Sequence, residues 1–134
     1  MATQYQKLPV PGFVNPTADY VDPEILYSTA AFTQKGVTIA SGQGVLAAGT
    51  VLAQKTSDKK YYAYNNANGD GTQVARGVLR RPVDTGVTVS AAGDQVSNMV
   101  IQGILKLGLV VGADSAALTD LGATADTVRG TLKF

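Results

Sequence analysis

Gly36-Val-Thr-Ile-Ala-Ser-Gly-Gln-Gly-Val-Leu-Ala-Ala-Gly-Thr-Val-Leu-Ala-Gln54 is the stretch whose reading decides the fold. Val37, Thr38 and Ile39 are β-branched and stiff at χ1, so they favour an extended chain. Gly42 and Gly44 then supply the backbone freedom for a tight reversal. Gly49 marks a second corner, and Thr50-Val51-Leu52 is a short strand beyond it. Two strands joined by small residues, with almost no charge between them, read as the inner wall of a compact β domain.

Working outward, the polar link Lys55–Lys60 leads to Tyr61-Tyr62-Ala63-Tyr64, a strand because aromatics suit a pleated surface. Asn65 to Gly71 is the clearest turn in the chain. Val74 to Arg81 is the next strand, and Pro82 ends its ladder for want of an N–H donor. Val87-Thr-Val89 reads as a short strand closed by Ala91–Asp94. Val96 to Val111 is apolar but cut by Gly103 and Gly108, with Gly112 just beyond, which favours two or three buried, sharply bent strands over one helix. Ser115 to Gly122 is the one helix expected: Asp114 or Ser115 caps it, Leu118 and Leu121 share a face, and Gly122 ends it. Val128, Gly130, Leu132 and Phe134 alternate with Arg129, Thr131 and Lys133, as in a terminal strand with one buried face.

The 134 residues suffice for one domain with a real core but not for two. Charged residues make up only 16% of the chain, which leaves a large uncharged surface and hints at oligomerisation or docking. A net charge of +1 argues against nucleic acid and anionic membranes as partners. No apolar run approaches a membrane span, so a soluble protein is expected, in the cytoplasm or in an assembly built there. With no cysteine and no histidine there is no thiol chemistry, no His-based triad for Ser41, Ser90, Ser97 or Ser115, and no common zinc ligand. No enzyme activity, metal or cofactor is expected.

Residues 1–35 differ from the rest. They hold Pro9, Pro11, Pro16 and Pro23, four of the five prolines, which break every candidate strand within a few residues. Between them lie Tyr5, Leu8, Phe13, Val14, Tyr20, Val21, Ile25, Leu26, Tyr27 and Phe32. A disordered linker is poor in aromatics, so two readings stand, a frayed tail packed loosely on its own domain and an arm that orders on a partner, and the interleaved aromatics and prolines favour the arm. Its expected docking side chains are Tyr5, Leu8, Phe13, Val14, Tyr20, Val21, Ile25 and Tyr27. The domain proper then spans 36–134. Deleting residues 1–30 is expected to leave that domain intact.

Three motifs reduce to turns or surface on inspection. Gly42-Gln-Gly44-Val-Leu-Ala47 formally matches a dinucleotide-binding pattern, but Gly49, Thr50 and Val51 preclude the helix that the pyrophosphate needs. Asn66 to Gly71 mimics half of a calcium loop, yet its twelfth position is Gly77 where a bidentate Glu belongs. Lys59-Lys60 and Arg80-Arg81 flank tyrosines as in a single-strand binder, but neighbouring Asp58, Asp70 and Asp84 favour solvated strand edges.

The series from Val37 to Leu52, Lys59-Lys-Tyr-Tyr-Ala-Tyr64, Asn68-Gly-Asp-Gly-Thr72, Val74-Ala-Arg-Gly-Val-Leu79 and the ending Gly130-Thr-Leu-Lys-Phe134 resembles the head decoration proteins of lambda-like tailed phages. That resemblance covers about Gly36 to Phe134. It implies a mainly β fold, a small β-clip or barrel-like domain with one short C-terminal helix and an extended N-terminal arm. It further implies a homotrimer on the outer surface of the expanded capsid, bound to the major capsid protein and cementing neighbouring capsomers without chemistry. Two rivals stand beside it. One is a small-ligand or carbohydrate-binding β module with an aromatic pocket around Tyr61, Tyr62 and Tyr64. The other is a small enzyme using a Ser–Lys or carboxylate pair.

Overall fold

The computed structural model describes residues 24–28, 32–86 and 93–134. The expected strand Val87–Val89 lies outside them. Strands β1 (Thr33–Ile39), β2 (Val45–Leu46), β3 (Val51–Gln54), β4 (Tyr61–Ala63), β5 (Ala75–Leu79), β6 (Val83–Asp84), β7 (Gln95–Gln102) and β8 (Ile104–Lys106) are followed by a 3₁₀ turn at Leu107–Leu109. Helix α1 (Ser115–Leu121), β9 (Thr124–Asp126) and β10 (Thr131–Lys133) complete the chain.

Five strands close into a barrel in the order β1-β4-β3-β5-β7. The longest ladder is antiparallel, β1 on β7, from Thr33 opposite Gln102 to Ile39 opposite Gln95. The seam that closes the barrel is much thinner, a single parallel pair between Ile39 and Tyr61. β1 and β3, read from sequence as one wall, are therefore separated by β4. Closure also leaves β4 and β5 without free edges, so Lys59, Lys60 and Arg80 are not edge guards.

β3 and most of β5 bury both faces and so show little polar alternation, whereas β1 and β7 are exposed over much of their length. One core fills the interior: Val37, Ile39, Leu52, Tyr61, Leu79 and Met99 come from all five barrel strands, with Leu46 beside them. Gly77 belongs to this packing. A Cβ there would stand 2.5 Å from Met99 Cγ and 2.7 Å from the Val100 carbonyl oxygen. The other core lies outside the wall, where Val51, Ala75, Val78 and Val100 meet Leu105, Leu132 and Ala117. Successive residues such as Leu52 and Val51, or Met99 and Val100, serve the two cores in turn, as the two-residue period of a strand requires.

The second core is roofed by a sheet of order β8-β10-β9 and by α1. The helix forms where the sequence places it. Asp114 caps it by accepting from the Ala117 N–H at 2.8 Å, and Gly122 ends it in the left-handed region at φ 65°. Leu118 and Leu121 pack on the second core, and Asp120 accepts from the Ala75 N–H at 3.0 Å, tying helix to barrel.

Two readings of the sequence are corrected here. Val128, expected on a buried strand face, is 94% exposed, because residues 127–130 form a turn and the terminal strand begins only at Thr131. The 96–111 stretch does divide at Gly103, but Val96, Ile101, Leu109 and Val111 are exposed rather than buried.

Candidate functional site

The arm root is built by the last residues before the barrel. Ile25 to Tyr27 runs antiparallel beside β8: Leu26 bridges Leu105, the Tyr27 N–H donates to the Ile104 carbonyl at 2.8 Å, and the Lys106 N–H donates to the Ile25 carbonyl at 2.7 Å. Ile25 and Leu26 are sealed into the second core at 0% and 2% exposure. Tyr27 points outward and is 57% exposed.

Ile25 was grouped from sequence with the docking side chains, and this burial corrects that placement. An apolar residue packed against Leu105 and Leu132 has no face left for a partner. Described structure likewise continues before residue 36, since Ile25–Tyr27 pair with β8 and Thr33–Lys35 with β7. A deletion through residue 30 would strip the core. One ending at Pro23 would not. Tyr5, Leu8, Phe13, Val14, Tyr20 and Val21 lie outside the described residues.

Arg80 clamps this root to the barrel. Its guanidinium meets Glu24 Oε2 at 3.0 Å and Gln34 Oε1 at 3.4 Å, and its Cζ stands 4.8 Å from the centre of the Phe32 ring. Its Nε is buried with no acceptor. Glu24 in turn accepts from the Leu26 N–H at 3.2 Å. Burial pushes the Glu24 carboxyl up, but the bond from Arg80, the Leu26 N–H and the charges of Arg80 and Arg81 together hold it below its ordinary value. Sequence gave Arg80 only as a surface cation. Its partners are 46 and 56 residues away, a distance no local pattern reveals.

The opposite barrel mouth is closed by side chains instead. Gln43 Nε2 donates to the carbonyls of Ala40 at 2.8 Å and Tyr61 at 3.2 Å, and Gln43 Oε1 accepts from the Ala63 N–H at 2.9 Å. Its amide thus bridges the thin β1–β4 seam. Thr85, fully buried, accepts from the Gln43 N–H at 2.9 Å and donates to the Gly44 carbonyl at 2.7 Å. Gly42 and Gly44 both have positive φ, and short β2, not a helix, follows them. The turn at 65–71 is likewise self-contained, with the Asp70 carboxylate engaged by the Thr72 N–H and hydroxyl.

The three tyrosines offered as a ligand pocket face three different surroundings. Tyr61 is inside the barrel. Tyr62 donates to Asp58 at 2.8 Å with Lys55 Nζ 5.2 Å from its ring centre. Tyr64 reaches across to donate to the cap residue Asp114 at 3.0 Å. The Asp58 bond and then burial push the Tyr62 phenol up to about 12. Burial and then Asp114 do the same for Tyr64, also to about 12. Both hydroxyls are held as donors, and Tyr61, Tyr62 and Tyr64 do not converge on one pocket among the described residues. Among the described residues no group of three His, Cys, Asp or Glu side chains converges as a metal site, and no helix is long and apolar enough to cross a membrane.

A closed small barrel with an aromatic arm root fits the decoration family anticipated from sequence, and the family comparison decides the matter. The chain matches the family model of bacteriophage lambda head decoration protein D over residues 17–123, most of its length. It belongs to that family. As a head decoration protein it associates with the phage capsid and is a structural component of the virion. The family match begins within the arm and runs through α1, so both the Arg80 clamp and the Gln43 closure fall inside it. No curated protein and no solved structure matches significantly.

Proposed function

We propose that this decoration protein binds the outer surface of the expanded shell as a homotrimer and cements neighbouring capsomers through added buried surface. The family match carries the reading. The molecule's surface supports it: Val45, Val96, Leu109 and Val111 are between 37% and 83% exposed on a single protomer, and assembly with copies of itself would bury such groups. Docking runs through the arm, with Tyr5, Leu8, Phe13, Val14, Tyr20 and Val21 adding to an exposed strand edge of the major capsid protein, and Tyr27 contributing at the root. Short proline-bounded segments gain ladder hydrogen bonds there that they cannot make alone, and proline lowers the entropy lost on ordering. The partner is protein only, with neither nucleic acid nor membrane involved, and no cofactor takes part.

Sedimentation equilibrium together with co-sedimentation on undecorated expanded shells tests this. The expected results are a trimer mass at micromolar concentration and saturable shell binding that raises the shell's melting temperature. A monomer, or binding that leaves shell melting unchanged, overturns it.

A further inference from the structure

Leu105 and Leu132 point from β8 and β10 into the second core, so their neighbours Ile104 and Lys133 face the other way. On that outer face lie two adjoining depressions. One, of about 350 Å³, is lined by Phe32, Ile104, Lys133 and Phe134. The other, of about 290 Å³, is lined by Tyr27, Ile104, Arg129 and Lys133. They share Ile104 and Lys133 and so form one groove with aromatic ends and a basic middle.

The charge is one-sided. Lys106, Arg129 and Lys133 are exposed on this sheet and its turn, against one carboxylate, Asp126. Asp126 Oδ1 already accepts from the Val128 and Arg129 N–H groups, and its Oδ2 lies 3.8 Å from Arg129 Nε. Among the described residues Lys106 and Lys133 have no ion-pair partner. The arm root forms the groove's rim, since Tyr27 both lines it and is bonded to Ile104. Arg129 and Lys133 also lie beyond the family match, which ends at residue 123.

We propose that this groove docks an extended acidic segment of the shell protein, its carboxylates on Lys133 and Arg129 and an apolar side chain between Phe32 and Phe134. The proposal rests on the decoration reading above and names a second contact, separate from the arm.

The test uses the full chain carrying Arg129→Glu and Lys133→Glu together, both exposed positions, in binding to undecorated expanded shells over a range of salt. Affinity is expected to fall at least about tenfold and its salt dependence to flatten, with the melting temperature of the free protein unchanged. Unchanged affinity and salt dependence, while the wild type binds, overturns the groove and leaves decoration standing. A wild type that does not bind shells overturns both. Carbodiimide coupling on decorated shells identifies the occupant. Lys133 joined to an Asp or Glu of the shell protein supports the proposal. Lys133 joined only to Asp19 or Asp22 of the arm, or only to a second copy of this chain, overturns it.

Discussion

The barrel mouth at Gln43 and the arm root at Arg80 are both places where a polar side chain ties distant backbone together, and they end in opposite states. At the mouth, both ends of the Gln43 amide and the Thr85 hydroxyl are bonded. At the root, Arg80 holds Glu24, Gln34 and the Phe32 ring, yet its Nε is buried without an acceptor among the described residues, and Tyr27 lies exposed. A saturated network holds a shape. One that leaves a buried donor unbonded holds its shape at some cost, and here it stands where the arm joins the domain. The contrast separates a closure complete within the domain from an anchor for the segment that enters it.

The boundary between these regions is the first thing to break. Removal of residues 1–23 is expected to leave unfolding unchanged, because the described core begins at Ile25. Removal of residues 1–30 deletes two fully packed side chains, each worth about 2–5 kcal/mol by analogy with large-to-alanine core changes. Urea unfolding distinguishes the two truncations. Equal stability would place Ile25 and Leu26 outside the core after all.

Next in size is the barrel interior. Gly77→Val drives a side chain into Met99 and the Val100 carbonyl, and an overpacking cost of about 1–3 kcal/mol is expected. Gly36→Ala on β1, where a Cβ meets only Asn98 Oδ1 at 4.0 Å, should be nearly neutral. A reversed order of the two would contradict the packing described. At the mouth, Gln43→Ala leaves the Ala63 N–H without its acceptor and should cost about 1–3 kcal/mol, with faster hydrogen exchange at Ala63 and along the β1–β4 seam. Exchange protection there equal to wild type would show that the seam closes without the amide.

The smallest effects are with pH. Glu24, Asp58, Asp94 and Asp114 are held below their ordinary values; for Asp58 the first cause is the Lys60 N–H, for Asp94 the Lys60 ammonium, and for Asp114 the Ala117 N–H. Such a carboxyl binds fewer protons folded than unfolded, so its contribution is complete above the unfolded pKa of about 4 and is lost as pH falls through the lower folded value. Tyr62 and Tyr64 run the other way. Their raised phenols contribute below about pH 10 and lose that contribution as pH climbs toward 12. Lacking histidine, the protein should melt at a constant temperature between about pH 5 and 8 and less stably on either side of the acid and alkaline limits. A sharp change near pH 6.5 would contradict this assignment of groups.

How far the sequence carried the fold follows from how local each signal is. The helix at Ser115–Leu121 was readable, with its cap left open between Asp114 and Ser115, because an Asp cap and a left-handed Gly act within one turn. The strands around Val51, Tyr61 and Ala75 were readable from β-branched and aromatic runs bounded by turns. β9 was missed, since Thr-Ala-Asp carries no apolar pattern and pairs only because β10 lies beside it. The alternation from Val128 to Phe134 misled, because Asp126 caps a turn that reverses the chain before the strand begins. Gln43 looked like turn filler, as its partners across the seam include residues 18 and 20 positions on. On the docking side, the aromatic arm was legible by composition. The burial of Ile25 and the basic groove behind Tyr27 were not, because both arise from β8 and β10 arriving from the far end of the chain.

The central claim is that the domain folds on its own ladders and docks through its arm. Shell binding by the protein lacking residues 1–23 tests it most directly, with co-sedimentation on undecorated expanded shells as the readout and trimer mass and melting temperature as controls. The account predicts a folded trimer that binds shells weakly or not at all. A truncated protein that decorates shells with undiminished affinity would contradict it and place the whole docking surface on the β domain.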